Sequence, residues 1–274
     1  MDRVKEVTSL ANPIVKDIRA LTSKKDREAS GAFLAEGLGF VLEALERGWT
    51  IRTLVYDREV RGQTPLQSAV AETLERGGQV LEATDKVLSA ITRRDNPQAV
   101  IGVFEQRWQA LDAMAPEGDE TLVALDRVRD PGNLGTIIRT ADAAGASGVI
   151  LIDECTDPFA LETVRATMGS ILVLPLVRCT SEQFLAWQER AGAQVVATHL
   201  SGAVDYRRVN YAERPVVLLM GNEQSGLPDS LAAAADQRVR IPQQGSAESL
   251  NLAVATAVML FEARRHLLTL EARK

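Results

Sequence analysis

Cysteine, histidine and aromatic residues are scarce in this chain of 274 residues. The two cysteines (Cys155 and Cys179) and the two histidines (His199 and His266) are too few for a disulfide framework or a zinc cluster. Aromatic residues are only 4% of the sequence, so stacking on single-stranded bases is not expected to dominate any nucleic-acid binding. No apolar run reaches the roughly 18 residues of a membrane span, and the first ten residues lack the apolar centre of a signal peptide. We therefore expect a cytoplasmic protein that uses no metal and no membrane.

The remaining composition is that of a folded protein, and its charge is unevenly distributed. Hydrophobic residues make up 46% and charged residues 25% of the chain, which excludes wholesale disorder. Residues 1–110 contain 16 basic and 16 acidic residues, whereas residues 111–274 contain 15 and 21, so the net charge of -6 belongs to the second part. Because the local potential rather than the net charge attracts a polyanion, RNA binding stays open.

Strand and helix signals alternate in the first part of the chain. Asn12 and Pro13 predict the start of a helix. The later apolar runs and their Gly-rich stops predict helices at 38–47, at 65–76 and after Thr84, and strands at 32–35, 51–56, 79–82 and 99–105. This alternation is typical of a small α/β domain with a largely parallel sheet.

A second α/β series follows a segment without strand periodicity. Pro116 and Gly118 interrupt this segment, so we predict a first domain of residues 1–107, a linker of residues 108–119 and a second domain of residues 120–274. The second domain shows strand signals at 121–125, 148–152, 171–177, 194–198, 216–220 and 238–241, and helix signals at 134–144, 161–168, 182–191 and 250–270.

Three strand-to-helix junctions of the second domain contain polar residues, and open α/β sheets bind ligands at such junctions. In the first junction, Asn133 is a candidate helix cap with its amide aimed into a cleft, and Arg139 follows nearly two helical turns later. A guanidinium suits a phosphate or a ribose oxygen. The alternative is that Asn133 only caps the helix and that Arg139 is an ordinary surface residue.

The same junction superficially imitates a dinucleotide site of the Rossmann type. Gly132 and Gly135 follow a strand, and Asp153 ends the next strand. The spacing G-x-G-x-x-G is absent, however, and Pro131 lies inside the turn. A Rossmann site is therefore disfavoured.

The other two junctions place single polar residues beside small ones. Gly221 and Gly226 bracket Glu223 after a buried strand, and Ser249 precedes Asn251 at the start of the last helix. The alternatives are a tight turn with a solvated Glu223 and a helix that Ser249 merely caps. A serine hydrolase is disfavoured because no G-x-S-x-G sequence surrounds Ser249.

Taken together, the three junctions resemble one known family. They read N-L-G-T-I-I-R-T-A (133–141), L-M-G-N-E-Q-S-G-L (219–227) and I-P-Q-Q-G-S-A-E-S-L-N-L-A-V-A (241–255). In this order they are similar to the SpoU/TrmH family of RNA 2′-O-ribose methyltransferases, in the SPOUT superfamily, over the whole second domain. The segment V-R-A-T-M-G-S (164–170) is also similar to a family segment, whereas Gln243 departs from the methionine common there. More weakly, A-E-G (35–37) and N-P-Q (96–98) resemble the substrate-binding domain often found ahead of this catalytic domain.

The resemblance implies a fold, a cofactor and a set of site residues. The implied fold is a SPOUT α/β domain with a trefoil knot and a mostly parallel sheet, preceded by a smaller α/β RNA-binding domain. The implied cofactor is S-adenosylmethionine (SAM), held by Gly221, Ile241 and Leu250, with Thr198 as a further candidate. The implied catalytic residues are Asn133, Arg139, Glu223, Ser249 and Asn251. The implied assembly is a homodimer through the knot region and the final helix.

The implied reaction is methylation of a ribose 2′-hydroxyl in structured RNA. Ribosomal RNA is favoured over transfer RNA by analogy, and a non-catalytic RNA-binding relative is the remaining alternative. Two roles stay open for Arg139, because a guanidinium with a pKa above about 12 is a poor base. Either neighbouring cations such as Arg165 lower its pKa, or it orients the 2′-oxygen and the phosphate while the proton leaves late.

Basic residues of the first domain are the candidates for gripping RNA phosphates, together with Arg165. The set comprises Lys24, Lys25, Arg27, Arg93, Arg94 and Arg165. For each of them the alternative is an ordinary solvated charge.

Overall fold

The computed structural model describes residues 4–200, 203–247 and 249–270. Their contacts divide them into two compact units. The first comprises residues 4–106 and Asp157–Leu172, and the second comprises the described residues of Arg107–Thr156 and from Val173 onward. Across these described ranges, no helix is both long and apolar enough to cross a membrane.

Ten helices and twelve strands follow one another in the described ranges. The strands are β1 (Val4–Val7), β2 (Ala32–Glu36), β3 (Ile51–Asp57), β4 (Gln79–Ala83), β5 (Val100–Glu105), β6 (Thr121–Asp126), β7 (Gly148–Ile152), β8 (Leu176–Cys179), β9 (Gln194–Thr198), β10 (Val204–Asp205), β11 (Val216–Met220) and β12 (Gln237–Arg240). The helices are α1 (Pro13–Ala20), α2 (Lys24–Ser30), α3 (Leu38–Glu46), α4 (Thr64–Glu75), α5 (Asp85–Thr92), α6 (Pro131–Ala143), α7 (Leu161–Thr167), α8 (Ser181–Ala191), α9 (Asp229–Ala233) and α10 (Leu252–Ala263).

The sheet of the first unit is mixed, with strand order β1-β4-β3-β5-β2. Strand β4 pairs in parallel with β1 and β3, whereas β5 pairs antiparallel with β3 and β2. The prediction of a largely parallel sheet is therefore wrong for this unit, because apolar runs identify strands but not their direction. The predicted helix cap is confirmed, since Asn12 Oδ1 accepts a hydrogen bond from the backbone N–H of Ile14 at 2.9 Å.

The sheet of the second unit is parallel throughout, with strand order β10-β12-β9-β11-β6-β7-β8. All its strands therefore end at one edge, and the three junctions with polar residues lie at that edge. The strand predicted at 171–177 is wrong in its first half, since Ser170–Leu172 form a 3-10 turn and β8 begins at Leu176. Pro175 explains why the strand begins only at Leu176, because a proline has no N–H to donate within a sheet and is found at strand starts.

The predicted linker packs against the second unit. The backbone N–H of Gln109 donates to Leu176 O at 2.9 Å, and the indole of Trp187 donates to Met114 O at 3.0 Å. The guanidinium of Arg178 lies 4.9 Å from the ring centre of Trp108. Residues 108–114 are thus held against the edge strand β8 and the helix α8.

Helix α10 is shorter than the predicted helix at 250–270 and is anchored at its end by Arg264. The Arg264 guanidinium donates to Ala144 O at 2.5 Å, to Asp119 O at 3.1 Å and to Thr121 Oγ1 at 3.3 Å. Burial lowers the pKa of Arg264. These bonds join α10 to the end of α6 and to the start of β6.

Candidate active site

A cavity of about 540 Å³ opens at the carboxyl ends of β9, β11 and β12. Its size falls within the range of about 300–1,000 Å³ that is usual for small-molecule and cofactor sites. Six of the residues predicted for the site line it, namely Thr198, Gly221, Glu223, Ile241, Ser249 and Leu250. Gln243, which departs from the family pattern, also lines it.

The loop after β11 brings its backbone very close to itself at Gly221. A Cβ atom at this position would lie 2.5 Å from the nitrogen of Leu227 and 2.6 Å from the carbonyl carbon of Gly226. Asn222 and Gly226 exchange two backbone hydrogen bonds, and Gly226 has a φ of +66°. The turn therefore requires a residue without a side chain at Gly221, which lines the cavity.

Three of the predicted catalytic residues form one chain of hydrogen bonds. Asn133 Nδ2 donates to Glu223 Oε1 at 3.1 Å, and Asn251 Nδ2 donates to Asn133 Oδ1 at 2.9 Å. The second carboxylate oxygen of Glu223 accepts from the backbone N–H of Arg129 at 3.4 Å. Residues 90 to 118 positions apart along the sequence thus meet at the carboxyl edge of the sheet.

Two predicted helix caps are wrong. Asp130 caps α6, since its Oδ1 accepts from the N–H of Asn133 at 2.6 Å. Asn251 caps α10, since its Oδ1 accepts from the N–H groups of Ala253 and Val254 at 2.9 and 3.2 Å. The amide of Asn133 is thereby free for Glu223 and Asn251, and Ser249 lies in the exposed loop before the helix.

Asn222 ties two of the junctions together and was not among the predicted residues. Its Nδ2 donates to Arg127 O at 2.7 Å, and its Oδ1 accepts from the N–H groups of Gln224 and Ser225 at 2.9 and 3.1 Å. Its position between Gly221 and Glu223 could have indicated this turn-forming role, because an Asn side chain commonly bonds to the backbone two residues later.

The turn between β6 and α6 contains a buried ion pair. Asp126 is fully buried, and the guanidinium of Arg127 donates to its carboxylate at 2.9–3.2 Å. Burial raises the pKa of Asp126, and the bond to Arg127 opposes that shift. The backbone of Arg127 has a φ of +48°, and its carbonyl oxygen accepts the hydrogen bond from Asn222 Nδ2. The ion pair with Asp126 helps to hold Arg127 in this conformation.

The two cysteines lie at the ends of neighbouring strands and are poor nucleophiles. Burial raises the pKa of Cys155 to about 11 and that of Cys179 to about 12. The reactive species of a cysteine is the thiolate, so both thiols are inert near neutral pH. In the part of the chain that the structure describes, no group of three or more His, Cys, Asp or Glu residues could hold a metal ion.

Arg139 is not brought into the cluster of Asn133, Glu223 and Asn251. It lies exposed on α6, six residues after Asn133, and does not line the cavity. Among the described residues it has no hydrogen bond or ion pair, so its guanidinium is available to a ligand.

The residues predicted to contact RNA all belong to the first unit. Lys25, Arg93 and Arg94 are exposed, and Lys24 forms a long surface ion pair of 3.9 Å with Glu28. Arg93 Nη2 donates to Thr22 Oγ1 at 2.8 Å.

Three arginines of this set lie against carboxylates. Arg165 donates through Nε to Glu36 Oε1 at 3.0 Å, and Arg94 lies 3.7 Å from the other oxygen of Glu36. Arg27 is only 4% exposed; it pairs with Asp157 at 2.7 Å and donates to Leu21 O at 2.8 Å. Arg27 therefore cannot reach a phosphate and stabilises the first unit instead, so its assignment to RNA is wrong.

The second unit is a ligand-binding α/β domain. Its parallel sheet has a cofactor-sized cavity at the carboxyl ends of the strands, and the carboxylate of Glu223 and the amides of Asn133 and Asn251 lie beside that cavity. The model of the "SpoU rRNA Methylase family" matches residues 120–261, and the "MRM3-like substrate binding domain" matches residues 12–102. The chain belongs to the SpoU rRNA methylase family.

Similar proteins of known name or structure cover nearly the whole chain. A 23S rRNA (guanosine(2553)-2′-O)-methyltransferase, RlmP of Bacillus subtilis, is 33% identical over 95% of this chain and 100% of its own length. A 23S rRNA (uridine(2479)-2′-O)-methyltransferase of Streptomyces viridochromogenes is 36% identical over 89% of this chain and 86% of its own. The crystal structure of an AdoMet-bound rRNA methyltransferase from Sinorhizobium meliloti superposes with a TM-score of 0.94 at 63% identity, over 97% of this chain and 100% of that one.

Proposed function

We propose that this protein transfers a methyl group from SAM to a ribose 2′-hydroxyl of ribosomal RNA. The observation that carries the proposal is the hydrogen-bonded chain of Glu223, Asn133 and Asn251 beside the cavity. Two relatives named as 23S rRNA 2′-O-methyltransferases match 95% and 89% of the chain, which supports ribosomal RNA as the substrate.

The cavity suits SAM in its size and in its lining. Gly221, which has no side chain, lines the cavity with its backbone, and Ile241 and Leu250 add apolar surface. We expect Gly221, Ile241 and Leu250 to hold the cofactor largely through backbone groups, with Thr198 at the end of β9. SAM supplies an activated methyl group when it is bound.

The polar residues beside the cavity position the ribose. Glu223 fixes the amide of Asn133 by accepting its Nδ2–H, and Asn251 fixes the other side of the same amide. Ser249 offers a hydroxyl at the rim of the cavity. Arg139 orients the 2′-oxygen and the adjacent phosphate, and the proton leaves late, because a guanidinium is a poor base.

An Arg139→Ala variant tests this assignment. We expect methyl transfer from labelled SAM to ribosomal RNA to fall below detection, while the dissociation constant for SAM stays within about twofold, since Arg139 does not line the cavity. A collapse of SAM binding would overturn the role given to Arg139. Absence of methyl transfer by the unaltered protein to ribosomal RNA would overturn the proposed function, and transfer to tRNA alone would reassign its substrate.

The first unit is proposed to bind the RNA. Lys24, Lys25, Arg93 and Arg94 are the proposed phosphate contacts, with Arg165 held by Glu36 beside them. The match of residues 12–102 to a substrate-binding domain supports this assignment. The two units depart from the predicted boundaries of 1–107 and 120–274, because Asp157–Leu172 packs in the first unit and the predicted linker packs in the second. A cytoplasmic location is part of the proposal.

A trefoil knot and a homodimer complete the proposal. Helix α10 is apolar on nearly all sides, and Val254 and Phe261 remain 51% and 49% exposed. A helix that is apolar all round is usually buried, so α10 is suited to pair with a second copy.

A further inference from the structure

Four arginines gather at one edge of the second unit, although acidic residues outnumber basic ones in residues 111–274. Arg207 and Arg208 lie in the 3-10 turn after β10, and Arg238 and Arg240 lie on β12. We call these four residues the arginine strip. The strands pair in parallel with Asp205 opposite Arg240, which places the turn after β10 next to the end of β12.

One carboxylate does not neutralise the strip. Arg207 pairs with both oxygens of Asp205, at 2.9 and 2.5 Å. The hydrogen bond from Arg207 and the charge of Arg208 contribute to a pKa of about 2 for Asp205, so the carboxylate is ionised. Arg208, Arg238 and Arg240 are exposed and have no hydrogen bond or ion pair with the described residues. The charge of Glu262 also acts on Arg207, although Glu262 pairs with Arg265 at 3.4 Å. Positive charge therefore remains in excess along the strip.

The strip begins at the cavity. Arg240 lines the cavity directly before Ile241, whereas Val239 is buried. Because side chains alternate along a strand, Arg238 and Arg240 lie on one face, about 6.7 Å apart. A polyanion laid along the strip would have one end at the cavity that the cofactor is proposed to occupy.

We propose that the arginine strip binds the phosphate backbone of the RNA next to the ribose that is methylated. This inference rests on the proposed function and adds to it a contact on the catalytic domain that is separate from the first unit. Guanidinium groups match phosphates with paired hydrogen bonds, and phosphate contacts fix the register of a nucleic acid without reading its sequence. The strip thus sets how the nucleotide enters the cavity.

The test compares two variants that each remove two positive charges. One pair of arginines belongs to the strip, and the other pair lies at the amino ends of the strands. Arg208→Gln/Arg238→Gln removes two of the three unpaired charges of the strip and leaves the cavity residue Arg240 in place. Arg190→Gln/Arg214→Gln removes two exposed arginines near the starts of β9 and β11, which pair with Asp112 and Asp236 at 2.6 and 2.9 Å. The probe is unmodified ribosomal RNA transcribed in vitro, with binding measured from 50 to 200 mM salt and SAM binding measured in parallel.

We expect the strip variant to bind the RNA about tenfold or more weakly at low salt, with the slope of log K against log salt reduced by about 2. We expect the control variant to match the unaltered protein, and both variants to keep its SAM affinity. Equal losses in the two variants, or no loss in the strip variant, would overturn the inference. This binding result is separate from the proposed function, which fails only if the unaltered protein transfers no methyl group to the same RNA.

Discussion

The amide of Asn133 donates a hydrogen bond to a carboxylate on one side and accepts one from an amide on the other. An aspartate has nearly the same shape but cannot donate when ionised. The chemistry of this position therefore depends on the side-chain type as well as on its size. Asn133 can take this role because Asp130 caps the helix in its place.

An Asn133→Asp substitution replaces the bond to Glu223 by repulsion between two carboxylates. A hydrogen bond to a charged group contributes about 1.5–3 kcal/mol, so we expect kcat/KM for RNA methylation to fall by about 10- to 150-fold. SAM affinity should persist, because Asn133 does not line the cavity. Asn210→Asp adds the same charge on an exposed turn and is the control. Unchanged activity in Asn133→Asp would contradict the proposed role of Glu223 and Asn133.

A Gly221→Ala substitution tests the backbone wall of the cavity. The new Cβ would meet backbone atoms at 2.5 and 2.6 Å, so the loop must move and we expect SAM binding to be lost. Gly62→Ala is the control, because nothing lies within 4 Å of that position. Calorimetric titration with SAM measures both variants. Normal SAM binding by Gly221→Ala would show that the loop does not form the cofactor site.

Residue types alone could not decide which residue caps each helix. Asn133 and Ser249 are good caps by preference, but so are Asp130 and Asn251, a few positions away. The hydrogen bonds of the structure identify Asp130 and Asn251 as the caps. The sequence pattern thus identified the polar residues of the site and misassigned the local role of two of them.

At the scale of elements, the long apolar strands were predictable and the short ones were not. The signals at 121–125, 148–152, 194–198 and 216–220 correspond to β6, β7, β9 and β11 within one residue. Strand β10 has two residues and α9 has five, so neither has enough length for a periodic pattern. The direction of β5 also escaped prediction, since it depends on contacts made by the rest of the first unit.

Because Arg264 anchors α10 and Arg265 does not, we expect replacement of Arg264 to lower the free energy of unfolding much more than replacement of Arg265. Arg264→Leu leaves the buried carbonyl of Ala144 without its donor, and we expect the free energy of unfolding to fall by about 2–4 kcal/mol. Arg265→Leu removes a 77% exposed side chain and should change it by less than about 0.5 kcal/mol. Urea unfolding followed by circular dichroism measures both. Equal stabilities would contradict the anchoring role of Arg264.

At the scale of the whole molecule, the unpaired surface of α10 predicts assembly. We expect Phe261→Asp to convert a dimer into a monomer, because a charge would replace an apolar contact between two copies. Light scattering coupled to size-exclusion chromatography measures the mass. Met168→Asp changes an apolar residue that is 72% exposed outside α10 and should remain dimeric. A monomeric unaltered protein would contradict the proposed dimer.

The meeting of three distant junctions could be predicted only from their joint resemblance to a family. The order of the strands in the sheet decides which junctions become neighbours, and the spacing of apolar residues along the sequence does not reveal that order. The structure places Glu223, Asn133 and Asn251 within hydrogen-bond distance, but the role of Arg139 depends on a ligand. The fold class was therefore more predictable than the mechanism.

Mapping of ribose methylation in ribosomal RNA decides whether this chain is the enzyme proposed here. Cells that lack the protein should lose 2′-O-methylation at a defined nucleotide. The unaltered protein should restore it, and the Arg139→Ala variant should not. Identical methylation maps with and without the protein would contradict the proposal.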